Sequence, residues 1–252
     1  MPVLLYEKKK RIAYITLNRP ESRNALSLEL MGELEKAWLD FRDDDDLWVA
    51  ILTGAGTAFC AGLDLKERAA RGVFLQPEEG IGGITPTALN IWKPTIVAVN
   101  GPAYAGGWLL AMECDLRIAS ENARFSITEV AVGLPAVGST HLPRYIPSAL
   151  AMELLLTGDP ISAQRAYEIG FLNKVVPTEE LMPAATALAE RICKNAPVAV
   201  RVTKEAAYKS IYPSAEEVTD MYNIMAPALA TEDVIEGARA FAEKRPPVWK
   251  GK

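Results

Sequence analysis

The side chains able to do chemistry in this 252-residue chain are few, and that narrows the reactions open to it. His141 is the one histidine. A multi-histidine zinc site is therefore excluded, and any Ser-His-Asp relay would rest on that residue alone. Cys60, Cys114 and Cys193 lie far apart with no CxxC pair, the pattern of reduced thiols in a cytoplasmic protein. No GxxxxGK(S/T), HExxH or GxSxG sequence occurs, so nucleotide hydrolysis, zinc proteolysis and α/β-hydrolase chemistry lack their usual anchors. Gly54-Ala55-Gly56 follows a strand-like run, but Phe59 stands where a dinucleotide-binding turn needs its third glycine. The four aspartates Asp43–Asp46 lack the ligand spacing and central glycine of a calcium loop and read as a solvated turn.

Two segments remain. One runs Ala58-Phe59-Cys60-Ala61-Gly62-Leu63-Asp64-Leu65-Lys66; the other runs Asn100-Gly101-Pro102-Ala103-Tyr104-Ala105-Gly106-Gly107-Trp108. Each reads as a strand, a glycine-bearing turn and a helix start. N–H groups at a helix start have no intrahelical partner and carry partial positive charge. Two of them converging on one point would form an oxyanion hole, and small residues in the turns would let a ligand approach the backbone. Taken singly, either turn reads equally as a tight packing connection.

The elements that would position these turns follow from periodicity. Arg11–Leu17, Trp48–Thr53, Thr95–Val99 and Leu116–Ser120 read as strands, and Phe125-Ser126 as another that delivers Glu129 beside the second turn. Ser27 is placed to cap a helix whose Leu28, Met31, Leu34, Trp38 and Phe41 share one face. Strands separated by helices predict an α/β fold with crossover connections. Ala70–Asn90, rich in Gly and Pro with weak periodicity, reads as a lid or binding loop. Beyond about Ala149 the chain becomes helical. Ser162 caps Ala163–Ile169 with Gly170 as the stop, and helices are expected over Glu179–Asn195, Val198–Ile211, Ala215–Ala230 and Glu232–Lys244, the last capped by Thr231.

With 50% hydrophobic and 23% charged residues the composition is that of a globular protein, and a core of this size needs no disulfide or metal staple. The net charge of -5 gives no general attraction to nucleic acid or an anionic membrane. An anionic ligand must then meet a local basic cluster or backbone N–H groups. The N-terminal MPVLLYEKKKR places apolar before basic residues, the reverse of a secretory signal. The uncharged run Pro94–Met112 is broken by Asn100-Gly101-Pro102 and Gly106-Gly107, which argues against a membrane span.

Taken in order, these pieces resemble the enoyl-CoA hydratase/isomerase (crotonase) family nearly end to end. The resemblance is carried by Asn18-Arg19-Pro20 with Asn24-Ala25-Leu26, by Ala58–Lys66 and Asn100–Gly107, and by Cys114–Ala119. Arg124-Phe125 with Glu129, Gly133-Leu134-Pro135, and Phe241–Arg245 with Pro247 complete it. It implies a crotonase-like α/β spiral of ββα units over residues 1–195 and a helical C-terminal oligomerisation region over 196–252. It also implies a homotrimer or dimer of trimers, an acyl-CoA substrate, and no metal or cofactor beyond the CoA that arrives with the substrate. The oxyanion donors would be the N–H groups of Leu63 and Gly106. Arg23, Ala25, Ala61, Asp64, Leu65, Lys66, Trp108 and Leu109 would line the substrate site, with Arg23 and Lys66 meeting the phosphates.

Hydratases of the family carry two glutamates around the reacting carbons. The later one matches Glu129; the earlier position here is Leu109. One carboxylate most readily supports proton movement along the acyl chain, the isomerase pattern, so hydration and isomerisation both stay open. Glu113, one helical turn beyond Leu109 on the same face, reads as a pairing or rim carboxylate, and His141 as a packed or surface side chain. The rivals are a hydratase using Glu129 with Glu113, a thioester hydrolase or decarboxylase of the same family, and a catalytically silent acyl-CoA-binding subunit.

Overall fold

The structure is a computed structural model and describes residues 1–71, 84–211 and 232–248. Its frame is a six-stranded sheet built from β1 (Leu4–Lys9), β2 (Ile12–Leu17), β3 (Val49–Gly54), β4 (Thr95–Val99), β6 (Leu116–Ser120) and β9 (Lys174–Val176), in that spatial order. The β1/β2 hairpin is antiparallel and every later pair is parallel, the outcome of helical crossovers. A smaller sheet lies in the order β5 (Ala103–Tyr104), β7 (Arg124–Ser126), β8 (Ile161–Ser162).

Period-two alternation gives the large sheet two apolar faces. Ala13, Ile15, Leu17, Ala50, Leu52, Val97 and Val99 enter one core, while Ile12, Val49, Ile51, Ile96 and Ala98 enter the other. Helix α1 (Leu28–Asp43) lies on the first face, burying Leu30, Met31, Leu34, Ala37, Trp38 and Phe41. Its cap is the expected one, since Ser27 Oγ accepts the Leu30 N–H at 3.2 Å. Helix α6 (Leu181–Ile192) covers the second face with Leu181, Ala185 and Ala189, a stripe of spacing four. The remaining helices are α2 (Leu65–Arg71), α3 (Gly106–Met112), α4 (Ser148–Thr157), α5 (Ala163–Glu168), α7 (Pro197–Ile211) and α8 (Glu232–Glu243).

Several boundaries move from the sequence expectation. β1 carries no strong strand pattern of its own, with only Leu4 and Tyr6 partly buried, and its turn uses Lys10 at φ 55° instead of a glycine. The helix expected over Glu179–Asn195 opens as a 3-10 turn, Thr178–Glu180, before α6. Of the Ala70–Asn90 segment, residues 72–83 lie outside the described residues, as do the helix expected over Ala215–Ala230 and its neighbour Thr231. Residues 84–90 form hydrogen-bonded turns, Leu89 N–H donating to Thr85 O and Asn90 N–H to Thr87 O.

Helix α7 is tied to the core by polar contacts. Lys204 reaches the Asp115 carboxylate at 2.8 Å and donates to the carbonyls of Ile91 and Lys93. Tyr208 Oη donates to Asp115 at 2.9 Å. The same carboxylate accepts the Thr95 N–H and hydroxyl, so one side chain joins β4 to the helical region. Helix α8 packs on α2 and on the turn 128–132.

Candidate active site

The two glycine turns are one structural unit. Cys60 bridges Ala103, and the Tyr104 N–H donates to Cys60 O at 2.9 Å. The start of α3 lies so close to this strand that a Cβ at Gly107 would collide with Cys60 O, which explains the second glycine of the pair. On the other side, Leu26 bridges Leu63: the Leu26 N–H donates to Gly62 O and the Asp64 N–H to Leu26 O. Gly62 has φ +89°, and a Cβ there would stand 2.9 Å from Ala105 Cβ and 3.3 Å from Gly106 N. The turn bearing Leu63 thus abuts the turn bearing Gly106. Among the described residues, neither the Leu63 nor the Gly106 N–H donates to a protein acceptor.

Ala105 takes an unusual conformation, φ 48° and ψ -115°, immediately before Gly106. A side chain in such a region costs about 1–3 kcal/mol and persists only when its surroundings hold it. Here they do: the Ala105 N–H donates to Ser126 O, and Ala105 O accepts the Leu109 N–H.

That Ser126 contact also places Glu129. β5 pairs β7 in parallel, Tyr104 opposite Ser126, and three residues later the 3-10 turn Thr128–Val132 presents the glutamate. Glu129 Oε2 is buried with no hydrogen-bond partner among the described residues. Burial pushes its pKa up to about 7, opposed in part by its own backbone N–H. The carboxyl is therefore poised to exchange a proton at neutral pH.

The flanking residues have structural duties. Asp64 starts α2, accepting the Glu67 N–H at 3.2 Å, and takes the Arg19 guanidinium at 3.0 Å. Arg19 also donates to Ala25 O, and the Arg23 carbonyl accepts the Ala61 N–H at 3.0 Å. Lys66 and Arg23 are exposed, while Ala25, Ala61 and Leu65 are half-buried. Trp108 faces the core: it is fully buried, stacked on Phe171 at 4.4 Å and edge-on to Phe125.

Leu109 is nearly buried, and Gly138 presses on its side chain so closely that a Cβ there would collide with Leu109 Cδ2. Glu113, one turn on, is held by His141, with Oε1 and Nε2 2.9 Å apart. The pairing role expected for Glu113 is what the geometry gives, and His141 is its partner.

Several positioning groups escape a reading of the sequence. The buried Asn24 side chain donates to Ala55 O and Ala58 O and accepts the Arg19 N–H, bracing the entry to the first turn. Glu67 accepts the Leu28 N–H at 3.0 Å, joining α2 to the start of α1. Asn24 belongs to a segment that matches the family, but no local pattern announces either contact.

An unpartnered N–H on each of two abutting turns, with a carboxyl of raised pKa three residues after the strand bonded to one of them, is an arrangement able to stabilise an enolate and move a proton. Comparison with known proteins shows the family. The enoyl-CoA hydratase/isomerase family model matches residues 7–252, and the chain belongs to that family. It is 40% identical to the (E)-benzylidenesuccinyl-CoA hydratase of Thauera aromatica over the full length of both chains. It is likewise 40% identical to the carnitinyl-CoA dehydratase of Proteus mirabilis, covering 94% of each. The crystal structure of a carnitinyl-CoA hydratase from Mycobacterium avium superposes with a TM-score of 0.88 at 37% identity, covering 100% of both chains. The fold is accordingly the crotonase fold, and the activity is of the enoyl-CoA hydratase type.

Proposed function

We propose that this enzyme reversibly hydrates a 2-enoyl-CoA, with Leu63 and Gly106 N–H as the oxyanion hole and Glu129 as its one proton-transfer carboxyl. The observation that carries this is Glu129 itself, whose Oε2 is buried without a partner and whose pKa burial pushes up to about 7, in the turn that follows the strand bonded to Ala105. As water attacks the β carbon, negative charge builds on the thioester oxygen, where each N–H contributes about 2.7–4 kcal/mol. Glu129 takes the proton from water and returns one to the α carbon, so a single carboxyl closes the cycle. Similarity to a hydratase and a dehydratase over 94–100% of this chain supports this direction of chemistry.

CoA enters with the substrate, its phosphates meeting Lys66 and Arg23; such exposed contacts weaken with salt over a screening length of about 8 Å. The reading also includes a homotrimer or dimer of trimers assembled in part through residues 196–252, in the cytoplasm. Among the described residues, no helix is long and apolar enough to cross a membrane.

A second reading, isomerisation of a 3-enoyl-CoA, is favoured by one observation: the apolar, nearly buried Leu109 stands at the first glutamate position. Following thioester absorbance and products with 2-enoyl- and 3-enoyl-CoA esters separates the two. Hydration of the 2-enoyl ester is expected; turnover of the 3-enoyl ester alone would establish the isomerase, and heatless calorimetry with every acyl-CoA would defeat both.

A further inference from the structure

Among the described residues, two buried side-chain oxygens lack a hydrogen-bond partner, Glu129 Oε2 and Ser139 Oγ. The second has no explanation in the fold. Ser139 is 1% exposed and closes the short 3-10 turn Val137–Ser139, whose own backbone bond runs from the Ser139 N–H to Ala136 O at 3.0 Å. A buried hydroxyl left without a partner is uncommon in native proteins and points to a group supplied from outside the chain.

Its location indicates which group. Gly138, the preceding residue, lies against the Leu109 side chain, so this turn presses on α3 at the position where a second carboxylate is missing. The turn carrying Glu129 precedes it by a few residues and is held to the chain between them, the Leu134 N–H donating to Glu129 O at 2.9 Å. It meets the start of α3 through the Ser126–Ala105 bond. Both orphan oxygens therefore belong to one short stretch of chain, which is tied to the start of α3 by the Ser126–Ala105 bond just before it and to Leu109 by Gly138 at its end.

We propose that Ser139 is a catalytic residue that holds the attacking water, a task that Leu109 cannot perform. This rests on the hydratase reading above. Water has two protons, and Glu129 removes only one. The other O–H, which becomes the β-hydroxyl of the product, donates to Ser139 Oγ and fixes the oxygen for attack. One C–O and one C–H bond form as one water O–H bond and the C2=C3 π bond break. In dehydration the same contact holds the departing hydroxyl. Proton exchange at the α carbon needs the oxyanion hole and Glu129 but no held water, so Ser139 takes no part in it.

The test compares wild type with Ser139→Ala on two reactions. The first is hydration of crotonyl-CoA and cinnamoyl-CoA, using the faster ester. The second is deuterium uptake at the α carbon of butyryl-CoA in heavy water. The variant should lose about 10–100-fold in hydration kcat with KM within threefold, and keep α-exchange within threefold. Its melting temperature should be unchanged or higher, because the hydroxyl bonds nothing in the protein. Ser139→Cys, retaining a weak donor and acceptor, should fall between the two. Hydration undiminished in Ser139→Ala would overturn the proposal. So would an equal loss of exchange and hydration, or a lowered melting temperature, either of which makes Ser139 a structural residue. Wild-type exchange without hydration of either ester would remove the water-holding role while leaving the enolate chemistry intact. Wild-type protein with neither reaction would refute the hydratase reading itself, and this inference with it.

Discussion

Glu129 is stabilised in its protonated form by the same burial that makes it useful, and this couples catalysis to folding. Its pKa rises from an ordinary 4.5 to about 7 in the folded chain, so the native state binds the proton more tightly than the unfolded one. Stability contributed by this group is fully present below pH 4.5 and is lost as pH climbs to 7, by about 3 kcal/mol at 1.36 kcal/mol per unit. Glu129→Gln should therefore melt close to wild type at pH 4 and above it at pH 8; calorimetry showing the same offset at both would contradict the assignment. Its hydration kcat should drop by about 10²–10⁴-fold, the contribution of a positioned general base, with CoA binding kept. In wild type, hydration should rise with pH through an apparent pKa near 7. Leu109→Glu probes the neighbouring position: the ratio of hydration to isomerisation, measured on paired 2- and 3-enoyl esters, should move toward hydration. The gain should be modest, because a carboxylate buried against Gly138 resists ionising. At this scale the sequence was readable only where a residue falls beside a recognisable turn. Glu129 stood out in that way, whereas Ser139 acquires meaning only through burial and the want of a partner.

Between residue and molecule, the working element is the pair of turns, and its spacing depends on Ala105. The Ala105 methyl rests over Gly62 while its backbone sits at φ 48° immediately before Gly106. Ala105→Gly permits that conformation without strain and also loosens it. The variant should melt about 2–4 °C higher for each kcal/mol of strain released, yet turn over about tenfold more slowly, a change of about 1.4 kcal/mol in the barrier. A rise in melting temperature with unchanged kcat would show that the strain has no catalytic use. The glycines of these turns announced a close approach in the sequence, since glycine is demanded where backbones touch. The strain at Ala105 did not, because alanine is unremarkable in a turn until its dihedral angles are known. β2, β3, β4 and β6 of the large sheet were legible as short β-rich runs, β2 by its two-sided alternation. β1 and β9 were not, because an exposed edge strand and a three-residue one have little apolar pattern to read.

Across the whole molecule, Asp115 is the junction on which the helical region and the sheet meet, serving β4 through Thr95 and α7 through Lys204 and Tyr208. Removing one partner of such a half-buried cluster leaves a charge uncompensated, so Asp115→Ala should cost about 3 kcal/mol, read from the midpoint of urea unfolding. This contact spans over ninety residues of sequence, and no spacing rule could have supplied it. Two of the three thiols bracket the two glycine turns: Cys60 stands just ahead of Ala61-Gly62, and Cys114 follows the end of α3. Both are fully buried with pKa values pushed up to about 12, while Cys193 is partly exposed. Alkylating reagents need a thiolate they can reach. Cys193 should thus be modified in the folded enzyme, and the other two only when the chain opens locally around the oxyanion turns. Their labelling rates, timed by mass spectrometry with and without acyl-CoA, make this enzyme its own clock for the breathing of its active site.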